Sequence, residues 1–201
     1  MLFSESPALY LADQVAELDR LVIQHQGIPP HILMKRAGRA AFELLLEQWP
    51  DVAALHIFCG AGNNAGDGYI LAALAKQRNL QVQLWYLSEP ESLEGAAQEA
   101  YQYALREGVD CQPFAAATFI DMQLMQSAQT VLVDALLGTG VKGDLREPFI
   151  QAVSVINSAK EHYDWPILSM DIPTGVNPDT GAISSVAIMA DATMSFIGQK
   201  Q

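Results

Sequence analysis

Apolar residues recur at three- and four-residue spacings along the first fifty positions, then condense into short continuous runs. Between Leu9 and His25, the positions Leu11, Val15, Leu18, Leu21 and Val22 fall on one face, which predicts an amphipathic helix. Ile28-Pro29-Pro30 interrupts it, because proline lacks an amide donor and pushes its predecessor away from helical backbone. A second helix is expected from about His31 to Gln48, with Leu33, Met34, Ala37, Ala41, Leu44 and Leu45 inward and Trp49-Pro50 as its stop.

Beyond Val52 the pattern alternates between apolar runs and helical stretches. Strands are expected at Ala54 to Phe58, Gln81 to Leu87, Val109 to Pro113, Thr130 to Ala135, Pro166 to Met170 and Ala192 to Phe196. Helices are expected at Asp67 to Arg78, Ser92 to Glu107, Thr118 to Ser127 and Glu147 to Ser158. Strand-then-helix repetition with uninterrupted apolar strands implies a parallel sheet covered on both faces, hence an α/β/α sandwich. An antiparallel arrangement would need hairpin turns of the Asn-Gly kind, and none joins two of these strands.

A length of 201 residues fits one domain and is thin for two. Eleven Lys and Arg against 23 Asp and Glu give a net charge of −12, which repels phosphate backbones and anionic lipid, so neither a nucleic-acid nor a membrane partner is expected. No segment approaches the roughly 20 apolar residues of a membrane span. The opening MLFSESPALYLADQ lacks the basic region and apolar core of a signal peptide. Cys59 and Cys111 form no CxxC pair and no disulfide framework, so a reducing cytoplasm is the expected location. His25, His31, His56 and His162 make no HxxxH motif, which argues against zinc.

Ligands of open parallel sheets bind outside the carboxyl ends of the strands, so the loops that follow strands carry the chemistry. Three are unusual. The first is Gly60-Ala-Gly-Asn-Asn-Ala-Gly-Asp-Gly68, where four glycines permit close backbone approach and the following helix offers its N-terminus to an anion. It lacks the Gly-Lys-Ser/Thr ending of a P-loop, and Gly66 comes one residue late for the dinucleotide fingerprint. A plain strand-to-helix turn capped by Asp67 would require less polar machinery.

The second is Asp134-Ala-Leu-Leu-Gly-Thr-Gly-Val-Lys-Gly-Asp144. Asp134 ends an apolar strand, where a carboxylate is costly unless paired or coordinating. Gly138 to Gly143 matches GxGxxG but lies late in the chain, so it reads as an anion-binding loop with Lys142 as phosphate contact. The third is Asp171-Ile-Pro-Thr-Gly-Val-Asn-Pro-Asp-Thr-Gly181, again opened by an aspartate after a buried strand, with Asp179 and Thr180 as turn residues. Together these loops bring Asn63, Asn64, Asp67, Asp134, Asp171 and Thr174 to one sheet edge. Hard oxygen donors without soft ones suit an alkali or alkaline-earth cation, and the whole suits a phosphate-bearing nucleotide.

At these loops the sequence resembles the NAD(P)H-hydrate epimerase family, the YjeF N-terminal domain. The match rests on GAGNNAGDG (Gly60 to Gly68), VDALLGTGVKGD (Val133 to Asp144) and DIPTGVNPDTG (Asp171 to Gly181), with support from LMKRAG (Leu33 to Gly38) and ATMSF (Ala192 to Phe196). The resemblance covers nearly the whole chain. It implies an α/β fold, a three-layer Rossmann-like α/β/α sandwich with a mainly parallel sheet. It also implies an isomerase that interconverts the R and S epimers of NADHX and NADPHX in nicotinamide nucleotide repair.

Carried over position by position, the resemblance makes Asn63, Asn64, Ala65, Gly66 and Asp67 the first substrate segment. It makes Gly138, Thr139, Gly140, Val141, Lys142, Gly143 and Asp144 the phosphate-side loop, Asp171 a substrate contact, and Asn64, Asp134 and Thr174 the ligands of a K+ ion. Ala65 stands where the family usually has glycine, and Thr174 stands where serine is common but keeps the same oxygen. The expected partner is an ATP- or ADP-dependent NAD(P)H-hydrate dehydratase, fused or separate. Residues 1–201 are expected as one domain cut short at its C-terminus, or as the front half of a bifunctional enzyme. The apolar face of the first helix serves either the core or a homodimer.

For the chemistry, Asp171 is the expected acid-base residue and Asp67 the second choice, because burial of a carboxylate at a strand end raises its pKa. Two rival classes remain in view. A non-catalytic nucleotide-binding or scaffold module of the same fold has no reason to keep costly buried carboxylates. An NAD-dependent dehydrogenase would need an early GxGxxG, which the first loop lacks.

Overall fold

A computed structural model describes residues 9–123, 129–140, 143–196 and 199–200. Its elements run β1 (Leu9–Tyr10), α1 (Ala12–Gln26), α2 (Pro30–Gln48), β2 (Ala54–Cys59), α3 (Gly62–Gln77), β3 (Gln81–Tyr86) and a 3-10 turn at Pro90–Ser92. They continue with α4 (Gly95–Arg106), β4 (Asp110–Pro113), α5 (Ala116–Gln123), β5 (Thr130–Ala135), α6 (Phe149–Tyr163), β6 (Ile167–Met170), β7 (Ala192–Met194) and β8 (Gln199–Lys200).

Strands β2 to β7 form one sheet in the order β4-β3-β2-β5-β6-β7, and every neighbouring pair is parallel. The central strands β2 and β5 are buried along their whole length, which is why they read as continuous apolar runs. Successive side chains alternate between faces. Leu55, Ile57, Val131, Val133 and Leu168 pack with residues of α2, α3 and α4, while Phe58, Leu132, Leu136 and Ile167 pack with Phe119 of α5 and Ile156 of α6. These two cores make the three layers expected. His56 lies wholly inside the second face, where the Trp85 indole N–H donates to its Nδ1 (3.1 Å).

Most boundaries fall within a few residues of the sequence expectation, and residues 124–127 of the helix expected at Thr118 to Ser127 lie outside the described residues; three differences bear on the architecture. Leu9 and Tyr10 do not open the first helix but pair, parallel, with Gln199 and Lys200. Helix α6 continues to Tyr163, because Ala159 extends the inward stripe of Ala152 and Ile156, and it ends at Asp164 with φ of 56°. Helix α3 begins at Gly62 rather than Asp67, with consequences for the site. Of the apolar face of α1, only Val15 is buried, and Leu11 is 38% exposed. No helix among the described residues is long and apolar enough to cross a membrane.

Candidate active site

The chain leaves β2 toward β3 and β4 on one side and leaves β5 toward β6 and β7 on the other. Strand order therefore reverses between β2 and β5, and their diverging loops open a crevice at the carboxyl ends. The three loops singled out in the sequence follow β2, β5 and β6, so all three open on that edge.

The first is not a loop throughout. Gly62 takes φ of 80°, Ala61 is extended, and Asn63 to Gly68 already form the opening turns of α3. A glycine-rich stretch is a poor helix on propensity, so packing must favour it. A Cβ on Gly66 would lie 2.5 Å from Met34 Sδ and 3.1 Å from Ala97 Cα, and one on Gly68 would lie 2.7 Å from Ala135 Cβ. These glycines are notches that let α3 lie against α2, α4 and the sheet. Ala65 is fully buried with no positive φ, so its methyl is accommodated. Asn63 is exposed, whereas Asn64 and Asp67, three residues apart on one helix face, are buried. Neither the Oδ1 nor the Nδ2 of Asn64 has a hydrogen-bond partner among the described residues. Burial, the charge of Asp171 and then that of Asp19 raise the Asp67 carboxyl well above its ordinary range.

Asp134 is wholly buried near the end of β5 and holds four donors. The Leu136 N–H (3.2 Å) and the Thr174 hydroxyl (2.8 Å) reach Oδ1; the Ser169 hydroxyl (2.9 Å) and the Thr174 N–H (2.9 Å) reach Oδ2. Burial raises its pKa, and these four bonds oppose the shift. Thr174 in turn accepts the Leu137 N–H at its hydroxyl (3.1 Å) and the Ile188 N–H at its carbonyl (2.8 Å). Ser169 was missed by the sequence reading. Its signal was a lone hydroxyl in the apolar run Ile167-Leu168-Ser169-Met170, set beside Asp134 by the β5–β6 register.

Asp171 sits at φ of 65°, a left-handed backbone that is uncommon outside glycine and clusters at functional sites. The Ile172 N–H returns to the Met170 carbonyl (2.8 Å), closing a tight turn with Asp171 at its centre, and the Thr139 N–H donates to its Oδ2 (2.9 Å). Gly138 lies where the loops meet, since a Cβ there would be 2.9 Å from Asp171 Oδ2 and 3.3 Å from Asn64 Cβ. In the loop after β5 Thr139 is half-buried, and Gly140, Gly143 and Asp144 are exposed; Val141 and Lys142 lie outside the described residues. A cavity of about 170 Å³ opens between the loops after β5 and β6, bordered by Gly138, Gly143, Asp144 and Thr174. A larger one of about 380 Å³ lies between α2 and α4, lined by His31, Met34 and Tyr103, and includes none of these polar groups. Asp179, expected as a turn residue, also accepts the Ala12 N–H (2.8 Å) and so ties the start of α1 to the third loop.

The donor set fits an alkali cation. Asn64 supplies a buried amide oxygen with no hydrogen-bond partner among the described residues, and Asp134 and Thr174 add hard oxygens that also take hydrogen bonds within the site. Among the described residues no group of three or more His, Cys, Asp or Glu side chains gathers that could hold a metal.

Fold and site thus define a Rossmann-like α/β/α domain whose switch-point loops carry Asp134 and Asp171, although neither carboxylate lines the cavity between them. The chain belongs to the family described as YjeF-related protein N-terminus, whose model matches residues 30–201. It is 35% identical over 193 residues to a bifunctional NAD(P)H-hydrate repair enzyme of Coxiella burnetii, covering 96% of this chain and 37% of that protein. It is 29% identical over 198 residues to an NAD(P)H-hydrate epimerase of Legionella pneumophila, covering 96% of this chain and 70% of that one. The crystal structure of the yeast protein YNL200c superposes with a TM-score of 0.84 at 24% identity, over 96% of this chain and 82% of that one, and shows the fold. The chain spans about a third of the length of the bifunctional relatives it matches.

Proposed function

We propose that this domain is an NAD(P)H-hydrate epimerase that interconverts the R and S epimers of NADHX and NADPHX. The observation that carries the reading is the meeting of Asn64, Asp171 and the glycine loop at Gly138, in a chain similar over 96% of its length to proteins of that name. Epimerisation at C6 of the nicotinamide ring breaks and remakes its bond to oxygen, or opens the ring there, and moves a proton each way. Asp171, fixed by Thr139, is positioned to exchange that proton. Asp67, in which burial favours the protonated form, is the second proton carrier. Gly138 to Gly140, with Gly143 and Asp144, take the phosphates. Asn64, Asp134 and Thr174 hold K+, which when bound supplies positive charge beside the carboxylates and the anionic nucleotide.

The S epimer formed passes to an ATP- or ADP-dependent dehydratase, the partner that the family resemblance implies. The unpaired thiols of Cys59 and Cys111 suit a reducing cytoplasm. The test is a coupled repair assay with R-NADPHX, ATP and an S-specific dehydratase, following NADPH absorbance in K+ and in choline. NADPH recovery above the spontaneous rate in K+, lost in choline, is expected. No recovery with the nucleotide still bound would reassign the domain to binding alone.

A further inference from the structure

We propose that Ser169 is a positioning residue for the cation site; the inference rests on the reading of Asn64, Asp134 and Thr174 as K+ ligands. The Asp134 carboxylate takes four donors, but they are not equivalent. Leu136 lies two residues along the same loop, and Thr174 provides two of the four while being itself a proposed ligand. Ser169 alone comes from a neighbouring strand: β5 and β6 pair Asp134 with Ser169, which puts both side chains on the same sheet face. Both are fully buried, and the hydroxyl donates to Oδ2 over 2.9 Å.

Ser169 lies between Leu168 and Met170 in a strand that is buried throughout, where alanine would remove only the hydroxyl oxygen. A hydroxyl there must find an acceptor or carry a desolvation cost, and Asp134 is the acceptor it finds. Groups that hydrogen-bond a metal ligand fix its orientation, and losing one typically costs about 10- to 100-fold in metal affinity. Ser169 therefore sets the rotation of the Asp134 carboxylate against Thr174, and through it the affinity for the ion.

The experiment is thermal unfolding of the wild-type chain, Ser169→Ala and Ser169→Thr, titrating KCl against choline chloride at constant ionic strength. The wild type is expected to gain stability as K+ rises. Ser169→Ala should need about 10- to 100-fold more K+ for half of that gain, and Ser169→Thr, which keeps the hydroxyl, should stay near the wild type. A Ser169→Ala protein that is less stable at every K+ concentration, with an unchanged half-point, would reduce Ser169 to a packing role and overturn the proposal. A wild type whose unfolding ignores K+ overturns the cation reading itself, and this inference with it. If Ser169→Ala does not fold, Ser169→Cys, a weak donor, takes its place; a wild-type half-point in that variant counts against the proposal.

Discussion

The backbone N–H of Thr139 donates to Oδ2 of Asp171 over 2.9 Å, tying the loop after β5 to the loop after β6 at the crevice. A charge-assisted bond of this kind holds one carboxylate oxygen in place while the tight turn around Asp171 fixes its backbone. Asn is the substitution that separates the chemistry from the scaffold, because Asn, like Asp, tolerates left-handed backbone and keeps a side-chain oxygen for Thr139. Asp171→Asn should lose about 100- to 10,000-fold in turnover, the usual range for an acid-base group, with nucleotide affinity little changed. Turnover at the wild-type level in that variant would move the acid-base role elsewhere, with Asp67 next in line.

Asp67 gives a pH test with a definite sign. Its carboxyl is raised in the folded chain by burial and by the charges of Asp171 and Asp19, so folding favours its neutral form. Below the ordinary carboxyl pKa of about 3.9 the group is neutral folded and unfolded, and its contribution to stability is fully present. As pH rises toward the folded value the unfolded chain ionises first, and that contribution is lost. Asp67→Asn is neutral throughout. The gap in melting temperature between variant and wild type should therefore be small near pH 4 and widen in the variant's favour by pH 8. A gap that stays flat across that range would show that Asp67 is not the group held neutral.

How far the sequence disclosed this architecture depended on which physical signal each part carries. The parallel strands were legible because burial on both faces makes them continuous apolar runs, as Thr130 to Ala135 illustrates. Asp134 and Asp171 stood out because a carboxylate at the end of such a run is costly. The start of α3 was not legible, since Gly62 to Gly68 reads locally as a turn; it is helical because Met34, Ala97 and Ala135 fill the space its glycines leave. Ser169 was hidden for a related reason: its acceptor is 35 residues away in sequence and becomes its neighbour only through strand register. The left-handed backbone of Asp171 is likewise set by the turn that Ile172 closes on Met170 and by the pairing of its own N–H with Met194, contacts that no local pattern announces.

Removing Asp134 should affect stability and cation response together. Asp134→Ala would leave the Ser169 and Thr174 hydroxyls and the N–H groups of Leu136 and Thr174 without their acceptor in a dry interior. Each orphaned buried group costs about 1–3 kcal/mol, and groups released by one change do not simply add. Loss of about 3 kcal/mol or more is expected in urea unfolding, with activity no longer rising with K+. Asp134→Asn keeps an acceptor at one position and sets an amide N–H against two donors at the other, so it should lie between the two. An Asp134→Ala protein as stable as the wild type would show that the four-donor arrangement is not maintained in solution.

The glycine notch in α3 can be tested through its partner. A Cβ on Gly66 would come within 2.5 Å of Met34 Sδ and 2.6 Å of its Cε, but only within 3.1 Å of the Ala97 backbone. The near obstruction is thus the end of a flexible side chain and the far one is fixed. Gly66→Ala gains helix propensity of about 1 kcal/mol, against an overpacking cost of about 1–3 kcal/mol, so a net loss is expected. Met34→Ala alone should cost about 2–5 kcal/mol as a cavity. Combined, the new methyl occupies part of the space vacated by the thioether, and the double variant should be more stable than the sum of the two losses allows. The coupling should reach about 0.5–3 kcal/mol, as for residues in direct contact, read from a double-mutant cycle in urea. Because Asn64 and Asp67 flank Gly66 on the same helix, Gly66→Ala should also weaken substrate binding, and Met34→Ala should restore part of it. Additive stabilities with unchanged binding would mean that α3 shifts bodily away from Met34, and that the site does not depend on this notch.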